Sequence, residues 1–204
     1  MKLLDAAFPP SPDQLVADCG SVGADGCWAY AWGPFTNYTP AHAQALHAAG
    51  LVCPAIWVPG NRPGSFGPML QAAVTLGCDP VGAFDIEAGS LPPAAWVADA
   101  ITFARAAGWS PRRYGDQVLL VSSYPSADGD WISHFGGNSP RVQAGCTDPV
   151  LVPGFAWQGC VNTRIHGSEY DVSSVDPAWW GISTVPPISP PPPVVQAYVA
   201  GTSS

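Results

Sequence analysis

Read for apolar and polar positions, the chain alternates between short apolar runs and longer amphipathic stretches separated by Gly and Pro. Residues 2–8 form an apolar run holding one acid, Asp5, and Pro9-Pro10 ends it. Ser11-Pro12-Asp13 has the N-cap, N1 proline and first-turn acid of a helix start, and that helix is expected to close at Gly20. In residues 26–32, Trp28, Tyr30 and Trp32 alternate with Cys27, Ala29 and Ala31, which is the period-two spacing of a strand. Thr39-Pro40 opens a helix over 41–49 closed by Gly50, and Leu51–Val58 is again strand-like. A helix from Gly67-Pro68 to Gly77 follows, then a strand over 80–87. Next comes a helix over 92–107 with an apolar stripe through Trp96, Val97, Ala100, Ile101 and Ala104, and a strand over 117–124.

Strands alternating with helices connect as parallel strands with helices outside them, hence an α/β class. Beyond Tyr124 the rhythm changes. A short helix is expected near 130–135, followed by strand-like pieces near 141–144, 155–158 and 169–172 with little room for helices between them. The pattern predicts an irregular TIM-like barrel over residues 1–181, with regular βα units first and a mostly β closing part last. Residues 182–193 are a Pro-rich tether of polyproline type. Residues 194–204 form a tail in which 194–199 have strand propensity. They can either add to the sheet edge of a partner, such as another virion protein, or stay disordered.

Composition narrows the function classes. The chain has 204 residues, 47% of them hydrophobic and only 11% charged, with a formal net charge of −8. That balance argues against a nucleic-acid partner, because phosphate binding requires a basic patch. No apolar run reaches membrane-spanning length, so no membrane partner is expected. Met1–Asp5 has one Lys, an early Asp and no long apolar segment, unlike a signal peptide. Synthesis in a host cytoplasm without an export signal is the expectation, with virion association as an open alternative.

The six cysteines show no CxxC or Cys/His metal spacing, so neither a metal nor a cofactor is expected. Cys146–Cys160 and Cys19–Cys27 are close enough in sequence to be candidate disulfides, against the alternative of buried thiols. His42 and His47 lie off the i, i+4 register for a shared metal and read as surface residues, while His134 and His166 stand alone. Asp128-Gly129-Asp130 lacks the rest of a calcium loop and reads as a turn. No GxSxG, HExxH or P-loop pattern is present.

The chemistry that remains is carboxylate chemistry. The strand Val81–Glu87 ends in Asp85 and Glu87, which at i and i+2 project from one face. Two acids side by side are costly to bury unless something uses them. Glycoside cleavage needs such a pair, one carboxyl to protonate the leaving oxygen and another to stabilise or attack the developing cation. The alternative is two acids that cap a strand and face solvent. Asp5 and Asp171, each inside an apolar run, would join the pair if the first and last strands are neighbours in a closed barrel. Trp28, Tyr30, Trp57, Tyr124 and Trp157 lie near expected strand ends, where flat aromatic faces suit sugar rings or simply fill a core. Trp157-Gln158 is the preferred substrate contact among them.

Leu4-Asp5-Ala6-Ala7-Phe8-Pro9-Pro10, Leu46–Leu51, Phe84-Asp85-Ile86-Glu87, Trp157-Gln158 and Tyr170-Asp171-Val172, in that order, resemble the glycoside-hydrolase-like barrels of actinobacteria and their phages, which are related to the family 25 lysozymes. The resemblance covers roughly residues 2–180. It implies Asp5 and Asp171 as the acids of the first and last strands, Asp85 as the nucleophile or stabilising carboxylate and Glu87 as the general acid. It also implies Trp157-Gln158 as a pair lining the cleft. The chain departs from the pattern at Tyr30, where relatives often have a basic residue, and at Val58-Pro59, where they often have an acid.

Three functions follow as expectations: a lysozyme-like hydrolase of peptidoglycan glycan, a non-catalytic virion module of tail or capsid that keeps the barrel, and a glycan-binding protein without turnover.

Overall fold

The computed structural model describes residues 1–87, 91–134 and 140–180, so the expected tether over 182–193 and tail over 194–204 lie outside the described residues. Among the described residues the elements run β1 (Lys2–Asp5), α1 (Pro12–Val22), β2 (Gly26–Trp32), α2 (Pro40–Ala48), β3 (Ala55–Trp57), α3 (Gly67–Leu76), β4 (Val81–Ile86) and α4 (Ala94–Ala106). They continue with β5 (Ser110–Asp116), α5 (Gln117–Ser123), β6 (Asp130–His134), β7 (Gln143–Ala144), β8 (Ala156–Ile165), β9 (Ser168–Val175) and α6 (Pro177–Trp180). β1 to β6 pair in parallel, β6 pairs with β8, and β9 runs antiparallel between β8 and β1, closing a barrel of eight strands. β7 is a short addition on the side of β8. The irregular TIM-like barrel, with βα units first and a β-rich closing part, is therefore the architecture of the chain.

One buried cluster takes a residue from each barrel strand: Leu3, Trp28, Ile56, Val81, Tyr114, Trp131, Ala156 and Val175. It is the barrel interior. Two outer clusters pack the other strand faces, one beneath α1 and α2 and one beneath α3 and α4. Strands buried on both faces read as continuous apolar runs, as β3 and β4 do. Gly82 shows how tight the outer layer is, because a Cβ there would lie 2.1 Å from the Trp57 ring.

The bottom of the barrel is closed by α6. Trp179 and Trp180 join the interior cluster, and Arg112, 2% exposed, reaches down from β5 to them. Its Nη2 donates to the carbonyls of Trp179 (3.0 Å) and Trp180 (3.2 Å), and its guanidinium lies 4.7 Å from the centre of the Trp179 ring. Its outward neighbour Arg113 grips Asp130 with two bonds of 2.7 Å and donates to the carbonyls of Leu120, Tyr124 and Pro125.

Several local expectations are corrected. β5 is a strand where none was expected, because its two arginines are buried against partners far along the chain. Residues 117–123 form a helix, not a strand. Asp116 caps it by accepting from the Leu119 N–H at 3.1 Å, and the apolar run spends Val118 and Val121 on the surface. Residues 130–134 form a strand, not a helix, with Trp131 facing the interior and Ile132 the outer wall. α1 runs past Gly20 to a left-handed cap at Gly23. Cys146 and Cys160 are disulfide-bonded, whereas Cys19 and Cys27 are separate buried thiols. His42 is buried, not on the surface. Its Nε2 donates to the Pro10 carbonyl at 2.9 Å, so its Nδ1 is the acceptor for the Thr39 N–H at 3.1 Å. His166 pairs with the buried Asp18 at 2.7 Å and so fastens the β8–β9 turn to α1.

Candidate active site

The inner face of each strand alternates, so the residues above the interior cluster follow from register. On β1, Leu3 is inside and Asp5 is therefore inside, one step nearer the C-terminal mouth. On β2, Tyr30 stands above Trp28. On β4, Val81 and Ala83 are inside, followed by Asp85 and, just past the strand end, Glu87. On β8, Gln158 stands above Ala156, and on the antiparallel β9, Asp171 stands above Ser173 and Val175. Asp5 faces Asp171 directly across the β1–β9 ladder, and Asp85 faces Tyr114 across β4–β5. The mouth of the barrel thus carries Asp5, Asp85, Glu87 and Asp171 with Tyr30, Tyr114 and Gln158 between them. Active sites of α/β barrels are built at this end.

Hydrogen bonds link several members of the ring. Tyr114 donates its hydroxyl to the Gln158 carbonyl oxygen, and the Gln158 amide donates to Asp171. Asp171 also accepts the Asn162 N–H at 2.9 Å. Tyr30 donates to Asp5 at 3.4 Å, and the second oxygen of Asp5 is buried with no hydrogen-bond partner among the described residues. That orphan oxygen is a cost the fold bears at the mouth.

The acids lie close enough to perturb one another. Burial, then the charges of Asp171, Asp85 and Glu87, hold the Asp5 carboxyl well above the usual carboxylate range, while the Tyr30 hydroxyl pulls it down. Burial and the Glu87 carboxylate push Asp85 up to about 7. Asp171 is raised by burial, against the lowering effect of Asn162 and Gln158. The Tyr114 hydroxyl is raised by burial and by the charges of Glu87, Asp5 and Asp85. Acids this close cannot all ionise at once, so the mouth retains protons in the neutral range.

The expected aromatic contacts are placed differently from one another. Tyr30 is at the mouth. Trp28 is fully buried one layer below, stacked on Trp131 with ring centres 4.4 Å apart, and forms a floor under the acids. Trp57 is fully buried on the outer face, packed on Phe66, Phe84 and Trp109, and donates to the Met69 carbonyl at 3.0 Å. Trp157 is 2% exposed and lies in the outer cluster with Ile132, so in the Trp157-Gln158 pair only Gln158 faces the mouth. Tyr124 follows α5, is half-buried, and donates to the Pro92 carbonyl at 3.0 Å. Tyr114 is the site residue that the sequence did not offer, because its strand was not recognised. The alternation Arg112, Tyr114, Asp116 was its one available signal. Among the described residues no group of three or more His, Cys, Asp or Glu has the geometry to hold a metal.

A closed eight-stranded α/β barrel with an acid-lined C-terminal mouth is the class these features define. No family model and no curated protein matches the sequence. Among solved structures, an uncharacterised B. stearothermophilus protein is similar in fold, with a TM-score of 0.59 and 16% identity over 88% of this chain and 97% of that one. The CTP1L endolysin is similar with a TM-score of 0.56 and 14% identity, over 88% of this chain and 67% of the endolysin. At these identities the likeness is one of fold.

Proposed function

We propose that the barrel is a glycoside hydrolase acting on peptidoglycan-type glycan. The observation that carries this reading is the inward pair Asp85 and Glu87 at the end of β4, flanked by Asp5 and Asp171 at the same mouth. The similarity in fold to an endolysin supports it. In this mechanism one carboxyl protonates the glycosidic oxygen as the bond to the anomeric carbon breaks. The other stabilises or attacks the cationic carbon on the opposite side, and water completes the cleavage. Glu87 is the general acid and Asp85 the nucleophile or stabiliser in the assignment that the family resemblance implies. Tyr114 and Gln158 orient Asp171, and Tyr30 orients Asp5.

One observation favours a second assignment of the same chemistry. Asp85 keeps its proton up to about pH 7 because it is buried beside the Glu87 carboxylate. A general acid must be protonated at its working pH. Asp85 meets that condition in the free site, which supports Asp85 as the acid with Glu87 as the second carboxyl of the pair.

Incubation with peptidoglycan from several actinobacterial walls should release reducing sugar, and Glu87→Gln should lower the rate by about 10²–10⁴-fold or more. The pH profile of Glu87→Gln and Asp85→Asn separates the two assignments, since loss of the alkaline limb belongs to the variant lacking the acid. If no wall releases sugar, the hydrolase reading falls and the barrel is a non-catalytic module.

A further inference from the structure

The two loops above β1 and β2 carry aromatic rings that the acid site does not use. Phe8, in the β1–α1 loop, is 72% exposed and is the most exposed large apolar side chain among the described residues. It meets Phe35 of the β2–α2 loop edge to face, with ring centres 6.0 Å apart and planes at 76°. Phe35 in turn meets Tyr30 edge to face at 5.7 Å, and Tyr30 donates to Asp5 at 3.4 Å. A continuous path of three rings therefore leads from solvent to the acids of the mouth.

These loops are held in place. Asn37 donates its side-chain amide to the Ala7 carbonyl at 3.2 Å, which ties the β2–α2 loop to the residue before Phe8. His42 donates to the Pro10 carbonyl at 2.9 Å, which ties the start of α2 to the residues just after Phe8. Pro9, Pro10 and Pro34 fix φ on either side of the two rings. An exposed phenylalanine on a floppy loop would be unremarkable, but a pair of phenyl rings pre-set at the rim of an acid site has little freedom left to lose on binding.

We propose that Phe8 and Phe35 form a sugar-binding subsite that holds the glycan chain beside the bond positioned over Asp85 and Glu87. This rests on the hydrolase reading and names the part of its substrate site that recognises the chain away from the cleaved bond. The chemistry favours a sugar over other occupants. Phenyl rings have no hydrogen-bonding group and offer only apolar contact, which suits the C–H face of a pyranose. The corner formed by two edge-to-face rings gives that face one ring to lie on and another to abut. A polymer of pyranose rings can reach both the phenyl rings and the acids at once.

Full-length Glu87→Gln protein is titrated calorimetrically with chitohexaose, a soluble β-1,4-linked N-acetylglucosamine oligomer, and with solubilised peptidoglycan glycan strands. Adding Phe8→Ala or Phe35→Ala to that background should weaken binding about five- to tenfold, roughly 1 kcal/mol or slightly more. Phe8→Trp should retain it. In the active chain, Phe8→Ala should raise KM more than it lowers kcat. Phe8 is mostly exposed, so its replacement leaves the fold in place, and an unchanged melting temperature verifies that. Alanine variants that bind as tightly as the parent overturn the subsite, as does a parent that binds neither glycan. Phe-dependent binding without sugar release by the wild-type chain leaves the subsite standing and removes the hydrolase. Sugar release with a KM indifferent to Phe8 does the reverse.

Discussion

The two ends of the barrel interior treat buried charge in opposite ways. At the bottom a single cation, Arg112, is almost completely enclosed, and its Nη atoms are given to Ser110 (2.6 Å) and to the last carbonyls of α6 (3.0 and 3.2 Å). Asp128 lies 3.8 Å away and adds a partial counter-charge. At the top, acids gather and raise one another's pKa, and among the described residues one oxygen of Asp5 has no hydrogen-bond partner. A floor of stacked Trp28 and Trp131 separates the two layers. The lower arrangement holds the chain together, since it fastens α6 to β5. The upper arrangement works against the fold, because like charges are packed where solvent is scarce. Perturbed acids gathered in one place are a common mark of a site for chemistry, and the contrast supports the mouth as the candidate site on grounds other than motif.

The largest effect on stability is expected at the bottom. Arg112→Met removes the donor to two buried carbonyls and the cation above Trp179, and the cost should be about 3 kcal/mol or more, within the range for breaking a buried charged contact. Urea unfolding at several pH values measures it. The loss should be nearly the same from pH 5 to 8, because no group near its titration range is involved. A loss below about 1 kcal/mol would mean that α6 is a passive lid, and the comparison between the two ends would fail on the lower side.

At the top the sign reverses. Asp85 titrates near 7 in the folded chain and near 3.9 when unfolded. Between those values the folded state binds a proton that the unfolded state has released. Its contribution to stability is therefore complete below about pH 4 and is lost as pH rises through about 7. Asp85→Asn removes the charged form, so it should leave stability almost unchanged near pH 4. At pH 8 it should raise stability by about 1–3 kcal/mol, while activity is lost. Thermal or urea unfolding across that range is the check. A variant less stable than the wild type at pH 8 would show that the ionised carboxylate is well solvated where it stands, and the mouth would no longer be a strained site.

What could be read from the sequence follows the same division. Asp85 and Glu87 were legible because the period of two needs only local sequence, and Asp5 and Asp171 became legible once a closed barrel placed the first and last strands together. The bottom was not legible. Arg112 and Arg113 after Pro111 look like a loop, since the carbonyls of Trp179 and Trp180 and the side chain of Asp130 that make them acceptable inside a barrel come from residues 17 or more positions away. Missing that strand hid Tyr114 and displaced the neighbouring assignments. The run from Val118 to Val121 has the propensity of a strand, and the Asp116 cap together with the need to cross over to β6 makes it a helix. For the tryptophans, strand-end position identified depth but not face. Trp57 and Trp157 share the height of the site yet look outward, and only the count of alternation from an assigned interior residue separates them from Tyr30 and Gln158.

Tyr30 offers the smallest and finest test of the contrast. Its hydroxyl donates to Asp5 over 3.4 Å, a long bond, and the effect of that bond is to draw the Asp5 carboxyl back towards its ordinary range. A donor stabilises the ionised acid more than the neutral one, so the interaction gains strength as Asp5 loses its proton. Tyr30→Phe should cost at most about 1 kcal/mol. The cost should grow as pH rises through the range in which Asp5 ionises. The difference between wild type and variant in urea midpoints, followed across a pH series, measures this directly. A cost that does not change with pH, or that is larger at low pH, would mean that Tyr30 serves the neutral acid. The second oxygen of Asp5 would then be a structural defect, not an acceptor held ready at the mouth.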